Sequence, residues 1–448
     1  MHGFDSTRDF ISQGIVAAIL VTVFALLAAD RVHRVLIPIG AVAVIWLISY
    51  FTPFRLISFD TAKEAVDLNV ILLLFSMMAL VGVLKTTNVF PWAVDRLLER
   101  SRGNPSRAAK LIIWFTGVLS AVLDNVTTVI FTYPMASEMA RRLKINASAF
   151  LLPMVMAANI GGTATLIGDP PNILIGSQVG LDFNAFVIHL TPVIVVVMAA
   201  QAVMIHVLWG KEMKATPERE ARVMAMKPED AIKDWLLLKQ SLVVLIVVMI
   251  AFALARPLHL EPATIAMFGA AVLMLLDNWA HLSEKASHNI HQTFGDVEWI
   301  TIFFFIGLFI VVHGVEVGGL LKLLADKLVV ATGGDMANAG YAILWASAFL
   351  SAIVDNIPFV ATMIPLIKSM APAYGGADKI EPLWWCLSLG ACLGGNGTLI
   401  GASANLTVAG IAERNGVPFR FLTYAYYAMP MMVVSVAICH VYVWWRYF

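Results

Sequence analysis

The sequence predicts an all-helical membrane protein that crosses the bilayer about ten times. Three observations support this fold class. The chain of 448 residues is 60% hydrophobic and only 13% charged, whereas a soluble domain carries roughly 25% charged residues. Its mean hydropathy is +0.82. Several mostly apolar runs reach the length of about 18 residues that crosses ~30 Å of hydrocarbon, where only helices and closed barrels satisfy their backbone groups.

The composition also excludes several classes of protein. The three cysteines form no CxxC pair and have no neighbouring histidine pattern, so we expect neither a disulfide framework nor a metal site. Net charge is zero and no basic stripe indicates a nucleic acid partner. The chain has no HExxH or GxSxG motif, so we expect no enzyme. The apolar run over 11–29 lacks a cleavage motif, which predicts a retained first span.

Two related stretches place an acid and an amide in the middle of an apolar run. LSAVLDNVTTVIFTYP begins at Leu119, and LSAIVDNIPFVATMIP begins at Leu350. Their polar pairs are Asp124 with Asn125 and Asp355 with Asn356. An acid at that depth is expensive, so it marks a functional site by default. Each stretch predicts a re-entrant hairpin of two short helices around a polar break.

The two stretches belong to a longer internal repeat. A constant offset of 231 also pairs charged residues such as Asp67 with Glu298, and it becomes 233 further on, where Gly161-Gly162 pairs with Gly394-Gly395. The predicted organisation is an N-terminal repeat over 1–210, a cytoplasmic linker over 211–239 and a C-terminal repeat over 240–448. In the first repeat we predict scaffold spans within 11–86, a hairpin over 108–140, a broken helix over 146–182 and a span over 184–210; in the second, a hairpin over 339–372 and a broken helix over 382–413. Five spans in each half make the second half inverted.

The distribution of Lys and Arg predicts the orientation. With the linker inside, 21 of the 30 Lys and Arg residues fall on the inside, as the positive-inside rule expects. Both termini then lie outside.

The candidate site lies where the four polar breaks meet, because inverted-repeat transporters bind solute and coupling ions there. Glycines allow the backbone to unwind, and the freed carbonyls with Asn, Thr and Ser oxygens form a shell for a hard cation. The candidates are Asp124, Asn125, Thr127 and Thr128 in the first break; Asn159, Gly161, Gly162, Thr163, Asp169 and Asn172 in the second; Asp355 and Asn356 in the third; and Gly394, Gly395, Asn396, Gly397, Thr398, Ser403 and Asn405 in the fourth.

Other readings stay open for four polar residues. Asp169 could bind an ion or only cap the helix that opens at Pro170. His313 and Glu316 lie in a span but have no repeat partner of the same type. Cys392 could be a small packing residue or a ligand for a soft metal.

At these motifs the chain resembles the ion transporter superfamily, in the branch of arsenite permeases, sodium/proton antiporters of the NhaD type and the melanosomal P protein, with the P-protein group most similar. NIGGTATLIGDPPN and GACLGGNGTLIGASAN carry this resemblance beside the two hairpin motifs. It implies a bacterial plasma-membrane location, a dimerising scaffold domain and a transport domain that moves as an elevator.

One departure from the superfamily bears on the solute. Dicarboxylate symporters carry Ser-Asn-Thr at each hairpin tip, whereas this chain has Asp124 and Asp355 there and no Lys or Arg within the four breaks. Buried carboxylates repel a dianion, which argues against citrate or succinate. The favoured hypothesis is a proton-coupled efflux antiporter for the small inorganic solutes arsenite or antimonite, without a cofactor. In it Asp124 and Asp355 exchange the protons, because burial raises the affinity of a carboxylate for a proton. A sodium/proton antiporter and a small-anion permease or channel of the P-protein type remain as alternatives.

Overall fold

The computed structural model describes residues 6–29, 31–210, 213, 216, 232–279, 283–417 and 419–448, which form helices and no strands. The first half contains α1 Ser6–Ala29, α2 Leu36–Phe51, α3 Phe59–Ala65, α4 Leu68–Thr86, α5 Val89–Ser101, α6 Pro105–Val122, α7 Asn125–Leu143, α8 Ser148–Gly162, α9 Pro170–Val179, α10 Phe183–His189 and α11 Thr191–Trp209. The second contains α12 Trp235–Ala253, α13 Ala255–Leu258, α14 Pro262–Asn278, α15 Ser283–Gly295, α16 Trp299–Val317, α17 Leu320–Ala331, α18 Met336–Ile353, α19 Asn356–Met370, α20 Glu381–Gly394, α21 Ser403–Arg414 and α22 Phe421–Tyr447.

Eight helices in the described part of the chain are long and apolar enough to cross a membrane. They are Phe10–Ala29, Leu68–Thr86, Thr191–Trp209, Trp235–Ala253, Trp299–Val317, Met336–Ile353, Asn356–Tyr374 and Phe421–Tyr447. Three further apolar helices, α2, α8 and α14, are shorter. The all-helical membrane class predicted from composition is therefore confirmed.

The two hairpins have longer arms than the sequence suggested. Helices α6 and α7 have 18 and 19 residues, and α18 and α19 have 18 and 15. At 1.5 Å per residue an 18-residue arm is about 27 Å long, so each long arm could reach most of the way across a bilayer. Only two residues separate the arms, and the second of them is Asp124 in the first hairpin and Asp355 in the second.

The predicted broken helices are interrupted between their two helical parts. Helix α8 ends at Gly162 and α9 begins at Pro170; α20 ends at Gly394, and α21 begins at Ser403 after a short 3₁₀ turn over Leu399–Gly401. Proline is favourable at the first position of α9, because an amide hydrogen there would have no partner within the helix.

Several short amphipathic helices were not predicted. Helices α5 and α17 connect a long apolar helix to each hairpin, and α5 buries Phe90, Val94 and Leu98 on one side. The predicted linker over 211–239 lies largely outside the described residues, which include only 213, 216 and 232–239 of it. Helix α12 begins within that range at Trp235, because Asp234 accepts a hydrogen bond from the Leu237 amide and caps it.

Helix boundaries in the two halves correspond at the offset found in the sequence. Helices α4 to α7 begin 231 residues before α16 to α19, and α9 begins 233 residues before α21. The packing corresponds as well: α6 packs on α8 as α18 packs on α20, and α4 packs on α14 as α2 packs on α16. Helix α9 packs on the second hairpin helix α19, and α21 packs on the first hairpin helix α7. The broken helices thus join the two halves at their centre.

Each hairpin lies against its broken helix with almost no space between the backbones. A Cβ atom added at Gly161 would lie 2.1 Å from the Gly117 carbonyl oxygen, and one at Gly394 would lie 2.4 Å from the Ala348 oxygen. No side chain fits at either position. These two contacts set the distance between the outer hairpin arms and the first halves of the broken helices.

We predict that Gly161→Ala lowers the thermal unfolding midpoint of the purified protein or abolishes its accumulation, because the methyl group forces two helix backbones apart. Overpacking of this kind costs about 1–3 kcal/mol or more. Gly410→Ala is the matched control, since a Cβ there meets nothing within 4 Å and alanine is favoured in a helix by about 1 kcal/mol. Equal midpoints for the two variants would contradict the close contact.

Candidate functional site

The first hairpin tip is closed by a local hydrogen-bond pair. Asp124 caps α7: its Oδ1 accepts from the Thr127 amide at 2.8 Å and its Oδ2 from the Thr127 hydroxyl at 2.5 Å. Asp124 is buried. Both carboxylate oxygens are therefore satisfied within one turn of helix.

The second tip differs because Pro358 occupies the position that corresponds to Thr127. Proline offers neither an amide hydrogen nor a hydroxyl, so Asp355 Oδ1 accepts from the Ile357 amide instead, at 3.1 Å. Asp355 Oδ2 accepts from the Ser403 hydroxyl at 2.9 Å and lies 3.6 Å from the Arg34 guanidinium. Arg34 also donates to Ser403 Oγ at 2.5 Å. Asp355 thus keeps one capping bond from its own helix, and Ser403 and Arg34 take the place of the missing hydroxyl.

The centre of the site is Asp169, which the two hairpin tips approach together. The Asn125 amide nitrogen lies 3.1 Å from Asp169 Oδ1, and the Asn356 amide nitrogen lies 3.5 Å from the same oxygen. Asp169 is fully buried. It holds the N-cap position of α9, yet its side chain makes no capping hydrogen bond. The capping alternative for Asp169 is therefore wrong.

Two buried acceptor atoms at this centre have no hydrogen-bond partner within the described part of the chain. They are Asp169 Oδ2 and Asn125 Oδ1. A buried polar atom left without a partner costs free energy comparable to a lost hydrogen bond. The two oxygens can therefore accept from a proton, a cation or a solute.

An amide network extends from Asn125 into the second half of the chain. Asn159 Oδ1 accepts from Asn125 at 3.1 Å, while Asn159 Nδ2 donates to Asn396 Oδ1 at 2.8 Å and to Asn405 Oδ1 at 2.9 Å. All four side chains are buried. Asn159 thus connects the first hairpin tip to the second broken helix.

Asn172 and Asn405 hold the loops of the broken helices. Asn172 donates to the carbonyl oxygens of Thr163 and Thr165 at 3.1 and 2.9 Å. Asn405 donates to those of Gly395 and Thr398, both at 2.8 Å. These two amides satisfy loop carbonyls and so shape the site.

The remaining predicted residues are threonines and glycines of the breaks. The Thr163 hydroxyl donates to the Asn159 carbonyl, and the Thr398 hydroxyl to that of Ala352. Thr128 is buried, and its hydroxyl has no partner among the described residues. The five glycines contribute no side chain: Gly161 and Gly162 end α8, Gly394 ends α20, and Gly395 and Gly397 lie in the loop that follows α20.

Three residues beside the site were missed or left open. Arg34 was missed because it lies in a loop 369 positions from Ser403, with no local motif. Ser388 was also missed; it donates to Asn172 Oδ1 at 2.6 Å. Cys392 lies 3.6 Å from the same oxygen, where its thiol donates. The offset of 233 was a usable signal for Cys392, since it places this residue opposite Asn159.

His313 and Glu316 lie elsewhere. Their side chains approach to 3.9 Å and line a cleft of about 190 Å³ that also contains Gln178 and Lys368. The amide network does not contribute to this cleft. Across the described residues, no group of three or more His, Cys, Asp or Glu side chains is arranged to hold a metal ion.

Comparisons with known proteins identify the family. The CitMHS family, described as citrate transporter, matches residues 24–390. An uncharacterized transporter of Mycobacterium tuberculosis is 38% identical over 434 residues, which cover 97% of this chain and 98% of the relative. The human P protein is 30% identical, and its alignment covers 96% of this chain and 60% of the P protein.

A solved structure has the same fold. The YdaH transporter of Alcanivorax borkumensis superimposes with a TM-score of 0.61 at 14% identity, covering 92% of this chain and 98% of that one. The resemblance to the ion transporter superfamily and to the P protein is thereby confirmed, while the arsenite and NhaD branch stays a prediction. The chain belongs to the CitMHS citrate transporter family and is a multi-pass membrane transporter.

Proposed function

We propose that this transporter is a proton-coupled secondary active transporter of the bacterial plasma membrane, in which Asp169 exchanges the proton. One observation carries the proposal. Asp169 is fully buried between amides from both hairpin tips and has no cationic side chain hydrogen-bonded to it or ion-paired with it among the described residues. A buried carboxylate without a positive partner is too costly to persist. It therefore carries a proton or binds a cation.

The geometry around Asp169 supports coupling to movement of the hairpins. Asn125 and Asn356 belong to different hairpins, and both donate to the same carboxylate oxygen. The second oxygen is free for a proton or cation. Binding or release there changes the charge that both tips face, so one event affects both hairpins.

This proposal changes the roles first given to the hairpin acids. From the sequence, Asp124 and Asp355 are the candidates for proton exchange. Asp124 is satisfied by Thr127, and Asp355 is paired with Arg34. We assign them to shaping the hairpin tips and assign the exchange to Asp169.

The proposed transport cycle uses the inverted halves predicted from the sequence. The equal spacing of helix boundaries at 231 supports a duplicated unit, and the excess of Lys and Arg on the side of the linker supports placing both termini outside. Hairpins and broken helices form the transport domain, the long scaffold helices form a dimer interface, and the former moves as an elevator against the latter. The hairpins are re-entrant in this arrangement.

The favoured solute is arsenite or antimonite, moved outward in exchange for protons. These hydroxides are uncharged near neutral pH, and the amide groups of Asn125, Asn159 and Asn396 supply both donors and acceptors. Binding then needs no positive charge at the centre of the site.

The first test measures uptake of arsenite into everted membrane vesicles with and without a pH gradient, acid inside. We expect gradient-dependent uptake for the wild type and a loss of about 100-fold for Asp169→Asn, because the amide cannot exchange a proton. Asp378→Asn, at an exposed position, is the matched control and should retain uptake. Wild-type uptake that ignores the gradient would contradict proton-coupled arsenite efflux.

A sodium/proton antiporter is the second candidate, favoured by the two unpartnered oxygens of Asp169 and Asn125. Carboxylate and amide oxygens are suitable ligands for a hard cation. In this case Na⁺ and H⁺ would alternate at Asp169.

Sodium exchange gives a separate prediction. In the same vesicles, adding NaCl should dissipate a preformed pH gradient for the wild type and leave it intact for Asp169→Asn, since the variant has lost the shared carboxylate. A fluorescent pH indicator records the gradient, and KCl is the control salt. A response to KCl of the same size would count against a sodium site.

Citrate, named in the description of the family, also becomes a solute to test. A dianion is disfavoured only if no positive charge lies near the breaks, and Arg34 lies beside Asp355 and Ser403. The same charge would serve a small-anion permease or channel. Labelled citrate in the vesicle assay separates these readings from arsenite efflux.

A further inference from the structure

The two hairpin tips are chemically unequal although they occupy corresponding places. At the first tip, Thr127 supplies both donors to Asp124 from the same helix. At the second, Pro358 removes those two donors. Asp355 keeps one donor from its own helix, the Ile357 amide, and takes its other partners from outside the hairpin. The consequence is that one tip is self-contained and the other depends on a distant contact.

That contact joins segments that are far apart in the chain. Arg34 precedes α2, which packs on α1 and α16. Its partners are Asp355 at the start of α19 and Ser403 at the start of α21. The guanidinium therefore connects the scaffold to one hairpin tip and one broken helix at the same point.

Arg34 supplies positive charge to a group of acids around Asp355. The negative charges of Asp355 and Asp124 repel a charge on Asp169. Glu298 is repelled by Asp124 and attracted by Arg34. Arg34 is the one cation paired with these acids among the described residues. Its side chain is 30% exposed whereas that of Asp355 is 9% exposed. The ion pair is thus partly shielded from water, where charge pairing matters more than on an open surface.

We propose that Arg34 is a positioning residue that keeps Asp355 ionised and fixed at the second tip, so that Asp169 is the single acid of the site that exchanges the coupling ion. This inference rests on the proposed function of Asp169. It gives different roles to Asp124 and Asp355, which the repeat pairs, and to Asp169, which lies opposite Ala402 in the repeat. It also makes the Arg34–Asp355 pair a contact that must break whenever the second hairpin moves away from the loop before α2.

The test compares thermal unfolding midpoints of the full-length protein in detergent between pH 5 and pH 8. Arg34→Gln should lower the midpoint, and the loss should be about twofold larger at pH 8, where Asp355 is ionised and unpaired, than at pH 5, where it can take up a proton. Arg34→Lys should keep the midpoint close to that of the wild type, because the lysine retains the positive charge. Adding Asp355→Asn to Arg34→Gln should remove the pH dependence, because no unpaired charge remains.

The control is Arg31→Gln, an exposed arginine three positions earlier in the same loop, which should leave the midpoint unchanged. A loss in Arg34→Gln that is equal at all pH values and not relieved by Asp355→Asn would overturn the inference, since Arg34 would then act only by packing.

The thermal unfolding experiment and the transport assays can fail independently of each other. If wild-type vesicles show neither arsenite uptake nor sodium exchange but the midpoints couple as described, the proposed function fails and the Arg34–Asp355 pair stands. If vesicles transport through Asp169 and the midpoints show no coupling, only the role of Arg34 fails.

Discussion

The arrangement depends on one interaction, the approach of two amides to the buried Asp169 carboxylate. Asn125 and Asn356 come from hairpins 231 residues apart, and each donates toward the same oxygen. A charge in that place would be intolerable without donors around it, so the hairpin tips, the unwound loops and the Asn159 network all serve to surround it. The glycine contacts of α6 with α8 bring the elements close enough to do so.

The sequence was sufficient for the class of protein and for the positions of the breaks, because each has a local signal. Apolar length predicts spans, and polar residues in apolar runs predict a site. The role of Asp124 could also have been found locally: an acid three residues before Thr127 is a usual helix N-cap. The same acid lies in an apolar run, where its charge predicts a functional site, and this prediction competed with the simpler one of helix capping.

Other features could not be predicted because they depend on contacts between distant segments. Arg34 has no motif, and its meeting with Ser403 follows only from the packing of α2 near the start of α21. The central place of Asp169 likewise required knowing that both hairpin tips converge on one oxygen. The substitution of Pro358 for Thr127 was visible in the repeat, but its effect on Asp355 became clear only from the donors that replace the missing ones.

The bridge made by Asn159 limits how the site can be exposed. Its amide is bonded to Asn125 in the first half and to Asn396 and Asn405 in the second, so the two halves of the centre form one hydrogen-bonded body. Opening a path between the halves would break several buried bonds at once. These bonds support the proposed elevator movement, in which the whole body is displaced and stays intact. Under that proposal, a molecule that fastens the body to its surroundings would inhibit better than one that wedges the halves apart.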